Sequence, residues 1–295
     1  MLEIKGLSKT YSNGIKAIDN ISLHIDCGIF GLLGANGAGK SSLMRTLATL
    51  QDADVGEIRL DGIDILKNPS QARTMLGYLP QDFGVYPQVS AEDLLNQLAV
   101  FKGFTNTKQR QEIVAHQLEL VNLYTQRKQK LGTFSGGMRQ RFGIAQALLG
   151  SPKLIVVDEP TAGLDPTERI RFQNLLAEIS RDRVLLLSTH IVEDVADLCP
   201  QIAIMKRGQI INSGSPRSLV EELQGKVWQR KIEPEEELQA NWVVITSRMR
   251  QGARWVRVLS NYAPDSSFES AIPDLDDVYF TAMLDREEVE AVEIS

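Results

Sequence analysis

A short glycine-rich stretch constrains this chain more than any other feature. Residues 34–41 read GANGAGKS, which fits the pattern G-x-x-x-x-G-K-[ST]. The apolar run 29–33 before it predicts a buried strand, and residues 40–50 after it predict a helix. A strand, a glycine loop and a helix in this order turn backbone N–H groups and a helix N-terminus toward one point. The pattern therefore predicts a phosphate-binding loop.

The loop assigns a role to its lysine and its serine. Lys40 is expected to reach the β- and γ-phosphates of a nucleotide, and the Ser41 hydroxyl to ligate Mg²⁺. We therefore expect ATP and Mg²⁺ as the bound species. The predicted ATP contacts in this region are Gly34, Ala35, Asn36, Gly37, Ala38, Gly39, Lys40, Ser41 and Ser42.

A second pattern places two carboxylates at the end of a buried strand. The run 154–157 is apolar, and Asp158 and Glu159 follow it directly. Asp158 is expected to hold Mg²⁺ through water. Glu159 points in another direction and can act as the general base that polarises the attacking water.

Composition limits the other classes of function. The chain has 295 residues, 43% of them hydrophobic, and a formal net charge of -6, which is typical of a soluble globular protein and argues against a broad nucleic-acid surface. We therefore expect no nucleic-acid partner. Two cysteines give neither a disulfide framework nor a metal-ligand spacing. No apolar run approaches the ~20 residues that span a bilayer, so a membrane role would need a partner chain.

Strands and helices alternate through most of the chain. This alternation predicts an α/β fold with a mostly parallel sheet covered on both faces. Residues 90–123 predict two helices, and residues 202–211 a hairpin. The residue pattern of the sequence changes after Gly225. Residues 233–237 form an acidic break, and residues 243–245 and 255–259 predict strands.

A third motif distinguishes between nucleotide-binding families. Residues 134–141, FSGGMRQR, precede the Asp-Glu strand and resemble the signature sequence of ABC ATPases. The resemblance covers about residues 1–223. It implies a P-loop NTPase of ABC type, with a RecA-like core, an antiparallel β subdomain and an inserted helical subdomain at about 84–150. Residues 224–295 are predicted to be a small C-terminal α+β accessory domain.

In this family the signature completes the ATP site of a second subunit. The resemblance therefore implies that Ser135, Gly136, Gly137 and Met138 contact ATP in trans, in a homodimer or in a heterodimer with another ABC ATPase subunit. Met138 replaces the usual glutamine and Phe134 the usual leucine. Contact through the Ser135 hydroxyl and backbone N–H groups tolerates both changes.

The remaining positions match the family one at a time. Tyr11 stands where the family has an aromatic residue that stacks on adenine. Gln81 matches the glutamine that contacts Mg²⁺ and senses the transmembrane partner. Asp165 matches the carboxylate of the loop that crosses the dimer interface, and His190 the histidine that touches the γ-phosphate. The predicted catalytic residues are thus Glu159, His190, Lys40 and Gln81, and the predicted Mg²⁺ ligands are Ser41, Gln81 and Asp158.

Residues 77–87 look like the export branch of bacterial ABC systems. The resemblance implies an ATP-hydrolysing subunit that powers a transporter through a separate transmembrane permease subunit. Such a subunit is expected in the cytoplasm, peripherally associated with the inner face of the membrane. Phe83, Val85 and Tyr86 are the candidate docking patch, although each could instead pack the helical subdomain.

Three other functions compete with this interpretation. A soluble ABC ATPase such as a translation factor usually carries two ATPase units, whereas this chain has one. A chromosome-repair ATPase would separate residue 41 from residue 135 by a long coiled coil, and no heptad run is present. A non-catalytic scaffold would lack Lys40 or Glu159.

Overall fold

The computed structural model describes residues 1–233 and 236–284. Pro234 and Glu235 of the acidic break, and residues 285–295 of the predicted accessory domain, lie outside the described residues. The chain divides into two compact units, Met1–Pro200 with Met205–Ile210, and Gln201–Ile204 with Ile211–Ser295. The domain boundary after residue 223 stays a prediction.

The described residues form strands and helices in the alternating order that the sequence predicts. The strands are β1 (Leu2–Thr10), β2 (Lys16–Ile25), β3 (Gly28–Leu33), β4 (Val55–Leu60), β5 (Ile63–Asp64), β6 (Leu76–Leu79), β7 (Leu154–Asp158), β8 (Val184–Thr189), β9 (Gln201–Lys206), β10 (Gln209–Gly214), β11 (Val227–Ile232), β12 (Val243–Arg250), β13 (Ala253–Leu259) and β14 (Glu269–Ser270). The helices are α1 (Lys40–Leu47), α2 (Pro69–Met75), α3 (Ala91–Phe101), α4 (Thr107–Leu120), α5 (Gly136–Ala147), α6 (Pro166–Ile179), α7 (Val192–Leu198), α8 (Pro216–Glu221) and α9 (Leu275–Met283).

The central sheet has the strand order β10-β9-β3-β8-β7-β6. Strands β3, β8, β7 and β6 pair in parallel, with Leu33 opposite Thr189 and Asp158 opposite Ser188. Strands β7 and β8 are buried along their whole length, as expected for a parallel sheet covered on both faces. This register brings the carboxyl ends of β3, β8 and β7 to one edge of the sheet.

A second sheet is antiparallel, with the order β2-β1-β4-β5. It corresponds to the predicted antiparallel β subdomain. Leu2, Ile4 and Leu7 of β1 are fully or almost fully buried, so one face of this sheet belongs to the core.

Helices α3, α4 and α5 form the predicted helical insertion. Side-chain caps start all three helices: Ser90 accepts from the Asp93 N–H at 3.1 Å, Asn106 from Gln109 at 3.1 Å and Ser135 from Met138 at 3.2 Å. The apolar stripes that predicted α3 and α4 are buried at Leu94, Leu95, Val114 and Leu118.

The second unit is built on an antiparallel sheet with the order β12-β13-β11-β14. One apolar cluster contains Val227, Ile245 and Leu259, with Phe280 of α9 packed against it. A second cluster contains Trp242, Val256, Val258 and Phe268. The α+β prediction for this region is confirmed by this arrangement of strands and one helix.

Within residues 1–233 and 236–284, no helix combines the length and the apolar character needed to cross a membrane.

Candidate active site

The phosphate loop connects the carboxyl end of β3 to the start of α1. Gly39, the residue before α1, has φ 108°, a conformation that side-chain-bearing residues rarely adopt. A Cβ atom at this position would lie 2.1 Å from the Ala17 carbonyl oxygen. Only glycine therefore lets the loop turn into the helix here.

Lys40 is folded back over its own loop. Its side chain is only 5% exposed, and Nζ donates to the carbonyl oxygens of Gly34 at 2.6 Å and Ala35 at 3.2 Å. The ammonium group is thus held against the carbonyl oxygens of the loop that the sequence predicts to bind phosphate.

The two carboxylates stand at the end of β7. Asp158 is 3% exposed, and the Ser188 hydroxyl of β8 donates a short hydrogen bond to its Oδ1. The backbone N–H of Glu159 donates to the Ser188 carbonyl at 3.0 Å, while Glu159 itself takes a φ of 51°. The two side chains have different partners, Ser188 for Asp158 and Lys40 with His190 for Glu159.

Glu159 lies between a lysine and a histidine. Its Oε1 is 3.4 Å from Lys40 Nζ, and its Oε2 makes a short hydrogen bond with His190 Nδ1. Glu159 is 5% exposed, whereas the His190 side chain is 44% exposed. The structure therefore brings together three residues that are far apart in the sequence, with the carboxylate buried and the histidine open to solvent.

Tyr78 of β6 lies in the electrostatic field of this edge of the sheet. Burial and the negative charge of Asp158 raise the pKa of Tyr78, and Arg45 of α1 opposes this shift through its charge and a hydrogen bond. Gln81, which follows β6, is exposed. Its contact with Mg²⁺ stays a prediction.

Tyr11 lies beside α1. Its hydroxyl is 3.0 Å from Ser42 Oγ and donates to Gln51 Oε1 at 3.0 Å. Gln51 in turn donates to the Ser42 carbonyl at 2.9 Å and to Thr46 Oγ1 at 2.8 Å. The tyrosine is therefore fixed against the helix that follows the loop, and its stacking on adenine stays a prediction.

The signature and Asp165 lie on two further helices. Ser135 and Gly136 are exposed at the N-terminus of α5, where Ser135 is the cap. Asp165 caps α6 by accepting from the Glu168 N–H at 2.9 Å. An ion pair between Arg141 and Glu168, at 3.6 Å, joins these two helices.

Comparison with known proteins decides the family. The model of the family described as ABC transporter matches residues 18–162. An uncharacterised ABC transporter ATP-binding protein of Bacillus subtilis (strain 168) is 36% identical over 231 residues, which cover 77% of this chain and 75% of that protein. The chain belongs to the family of ABC transporter ATP-binding proteins.

Other relatives of this chain are also ABC ATP-binding proteins. A Nod factor export ATP-binding protein of Burkholderia pseudomallei (strain 1710b) is 33% identical, over 75% of this chain and 72% of its own length. A probable multidrug ABC transporter ATP-binding protein of Escherichia coli (strain K12) is 32% identical over 77% of this chain, but the match spans only 39% of that longer protein.

Solved ABC cassettes share the fold. A dimeric post-hydrolysis ATP-binding cassette bound to ADP and Pi has a TM-score of 0.64 and 25% identity, covering 73% of this chain and 98% of that one. A cbiO1 subunit from Clostridium perfringens has a TM-score of 0.67 at the same identity, covering 75% of this chain and 90% of that one. The predicted family and P-loop fold are confirmed, and this ABC subunit is an ATPase, since the family hydrolyses ATP to power transport.

Asp194 and Gln51 hydrogen-bond to residues next to the predicted site but were not singled out in the sequence. Asp194 is buried on α7, four residues after His190. The available signal was an acid between the apolar residues Val192 and Val195 of a short helix. Gln51 follows the end of α1 and carries no signal, because its role depends on the position of Tyr11.

Proposed function

We propose that this chain is the ATP-hydrolysing subunit of an ABC exporter, which acts as a dimer and drives a separate membrane subunit. The observation that carries the proposal is the contact of Glu159 with both Lys40 and His190 at the edge of the phosphate loop. A base, a cation for phosphate and a histidine at one point form the set that hydrolysis of a nucleoside triphosphate requires.

The geometry supports a separate role for each of these three residues. Glu159 accepts a proton from the attacking water, and its buried position limits competing contacts with bulk solvent. Lys40 is already at the mouth of the loop and exchanges Glu159 for phosphate oxygens when ATP binds. His190 holds the second carboxylate oxygen, so that the base faces the γ-phosphate.

A Mg²⁺ ion fits the residues at this edge. Ser41 offers a hydroxyl at the start of α1, Asp158 a carboxylate and Gln81 an amide oxygen. Oxygen ligands of this kind, together with phosphates and water, are what Mg²⁺ prefers. When bound, the ion neutralises charge that develops on the phosphate oxygens.

Dimerisation is supported by the exposure of the signature. Ser135 and Gly136 present a helix N-terminus to solvent, a surface suited to a phosphate group of another subunit. The related cassette solved with ADP and Pi is dimeric. In the proposed cycle ATP joins two ABC subunits head to tail, and loss of the γ-phosphate loosens their interface.

A cleft between α2, β6, α3 and α5 is the proposed docking site for a helix of the membrane subunit. The cleft has a volume of about 590 Å³ and an apolar rim that includes Leu98 and Phe101, the latter 85% exposed. Tyr78 lines the same cleft, and the charge of Arg45 of α1 acts on its hydroxyl, so the cleft lies close to the helix of the phosphate loop.

The docking patch predicted from the sequence, Phe83, Val85 and Tyr86, offers less exposed surface than the cleft. Tyr86 is 67% exposed, but Phe83 and Val85 are partly buried. The Phe83 ring lies against α5, where its Cζ atom would be 2.8 Å from a Cβ atom at Gly143. We therefore place the main contact in the cleft, with Tyr86 as an additional contact.

The direction of transport is proposed from the relatives. Two of them are named for export of Nod factor and for multidrug transport.

A subunit of this kind works in the cytoplasm at the inner face of the membrane.

Hydrolysis by the Glu159→Gln variant tests the proposed base. We expect its turnover to fall by roughly 10²–10⁴-fold, the usual contribution of general acid–base catalysis. The matched control is Glu193→Gln, which alters an exposed glutamate on α7 and should leave turnover unchanged. A Glu159→Gln variant that hydrolyses ATP at the wild-type rate would exclude Glu159 from the mechanism.

The Lys40→Ala variant tests the loop separately, by equilibrium binding of ATP. We expect weaker binding, because the loop loses its cation. An unchanged affinity would argue against the assignment of residues 34–41.

A further inference from the structure

A buried carboxylate behind the active site connects three of its segments. Asp194 of α7 is 1% exposed, and four side chains donate hydrogen bonds to it. Oδ2 accepts from Thr161 Oγ1 at 2.5 Å and from Thr189 Oγ1 at 3.3 Å. Oδ1 accepts from Arg169 Nε at 2.8 Å and from Gln173 Nε2 at 3.3 Å. We propose that Asp194 is a positioning residue for ATP hydrolysis, which holds Glu159 and His190 in their reactive geometry.

Each donor belongs to a segment that carries a predicted site residue. Thr161 follows Glu159 by two positions, and Thr189 directly precedes His190. Arg169 and Gln173 lie on α6, the helix that Asp165 caps. One carboxylate therefore fixes the base, the histidine and the helix that follows the interface loop relative to one another.

Backbone contacts extend this connection to the phosphate loop. The Thr189 carbonyl accepts from the Gly34 N–H at 3.3 Å, and the Thr161 carbonyl accepts from the Leu164 N–H at 3.2 Å. The backbone of Thr189 is therefore anchored to the loop, while its side-chain hydrogen bond to Asp194 holds the attachment of His190. A shift of Thr161 would move both Glu159 and the turn that leads to Asp165.

The charge of Asp194 is needed as well as its shape. A buried carboxylate is tolerated only when it is paired and hydrogen-bonded. Here the Arg169 guanidinium supplies the opposite charge, and three neutral donors occupy the remaining lone pairs. An asparagine would keep the size, but its NH₂ group would face donors where the carboxylate accepts. The network would then lose its ion pair and shift at one or more of the three segments.

The test compares the rate per bound nucleotide in the full chain. ATP affinity and binding stoichiometry are measured first, and turnover is then expressed per ATP-binding site, so that unfolded chains do not count. Asp194→Asn is paired with Asp197→Asn, which removes an exposed aspartate from the same helix. Thr189→Val is paired with Thr189→Ser, because serine keeps the hydroxyl that donates to Asp194.

The proposal predicts a split between binding and turnover. Asp194→Asn should keep its ATP affinity within about two-fold, while kcat per site falls at least about tenfold. Thr189→Val should lower kcat in the same way and Thr189→Ser should not. Combining Asp194→Asn with Thr189→Val should lower kcat no further than the more severe single variant, because both break one network.

A kcat per site within two-fold of wild type in Asp194→Asn would overturn the proposal. If Asp194→Asn yields no ATP-binding protein, the Thr189 pair decides, and equal kcat for valine and serine overturns it. The inference rests on the proposed roles of Glu159 and His190. A normal rate in Glu159→Gln would remove those roles, whereas an inactive Glu159→Gln beside an active Asp194→Asn would remove only the role of Asp194.

Discussion

At the scale of single residues, the two oppositely charged side chains at the centre of the site are almost completely buried. Lys40 and Glu159 are each 5% exposed and lie 3.4 Å apart. Removing one partner of such a pair leaves the other charge buried and uncompensated. In the proposed function, ATP would supply negative charge to Lys40, and Glu159 would keep its hydrogen bond with His190.

Gly39 gives the sharpest residue-level prediction. Gly39→Ala combines a φ of 108° with a Cβ atom 2.1 Å from a backbone oxygen, whereas Gly37→Ala has a φ of 81° and no atom within 4 Å of its Cβ. Strained backbone of this kind costs about 1–3 kcal/mol, and the clash adds to it. Urea unfolding and ATP binding should both suffer more in Gly39→Ala than in Gly37→Ala. Equal losses would show that the close approach to Ala17 has no effect.

Asp277 of α9 predicts a dependence of stability on pH. Burial raises the pKa of Asp277 to about 6, and it outweighs the opposing effects of the Asp274 N–H and of Arg257, whose Nη2 is 2.7 Å away. The ordinary value is 3.8, so between about pH 4 and 6 the folded chain binds a proton that the unfolded chain has lost. The contribution of Asp277 to stability therefore falls as pH rises through this window.

The Asp277→Asn variant isolates this effect. The stability of wild type relative to the variant should decline from pH 4 to pH 7, because asparagine does not titrate. Urea unfolding can be followed by fluorescence, since the three tryptophans, Trp228, Trp242 and Trp255, all lie in this part of the chain. Ser270→Ala, at an exposed position of the same unit, removes no titratable group; it is the control and should give a constant difference. A constant difference for Asp277→Asn too would contradict the raised pKa.

At the scale of elements, the sequence predicts those strands and helices whose burial follows one simple period. Strands β7 and β8 are continuous apolar runs, and helix α3 has an apolar stripe, so their patterns determine them. Strand β11 is different, because its central residues are half-buried polar ones. Arg230 in this strand is covered by aromatic rings from elsewhere in the second unit. The hydrophobic pattern of the sequence cannot predict this contact between Arg230 and the rings, because the rings lie at distant positions in the chain.

Arg230 is therefore predicted to stabilise the second unit. Its guanidinium lies 4.9 Å from the Trp242 ring centroid and 5.4 Å from that of Phe268, and it forms an ion pair with Glu236. Arg230→Met should lower the stability reported by tryptophan fluorescence by about 1–3 kcal/mol, since a partly desolvated cation–π and ion-pair cluster is lost. Arg217→Met, which removes an exposed pair with Glu221, should change it by less than about 0.5 kcal/mol. Similar effects of the two variants would contradict the clustering argument.

At the scale of the whole molecule, the fold predicted from the sequence is confirmed, whereas the roles of the site residues stay predictions. Lys40 follows the loop after β3, Glu159 follows β7 and His190 follows β8, and a parallel sheet brings the carboxyl ends of these strands together. The Asp194 network was not predictable, because it depends on the packing of α6 and α7 behind the site. The roles of Ser135 and Asp165 in trans stay predictions, because they concern a second subunit.

The proposed docking cleft makes a prediction about assembly. Phe101→Glu places a charge on the apolar rim, and it should abolish co-purification of the membrane subunit from detergent-solubilised membranes while ATP hydrolysis by the isolated chain is unchanged. Ile272→Glu alters an equally exposed apolar residue, 86% exposed, in the second unit and should leave co-purification intact. Recovery of the same membrane protein with Phe101→Glu would exclude the cleft as the docking site.

The most direct test of the central claim is the particle mass of the Glu159→Gln chain with saturating Mg-ATP, measured by light scattering. ATP that cannot be hydrolysed should hold two ABC subunits together, so we predict twice the mass of one subunit, and a return to single subunits when ADP replaces ATP. Any other ATP-binding subunit that co-purifies with the chain is kept in the sample, so that a heterodimer is detected as well as a homodimer. Particles with the mass of one subunit at saturating ATP would contradict the account.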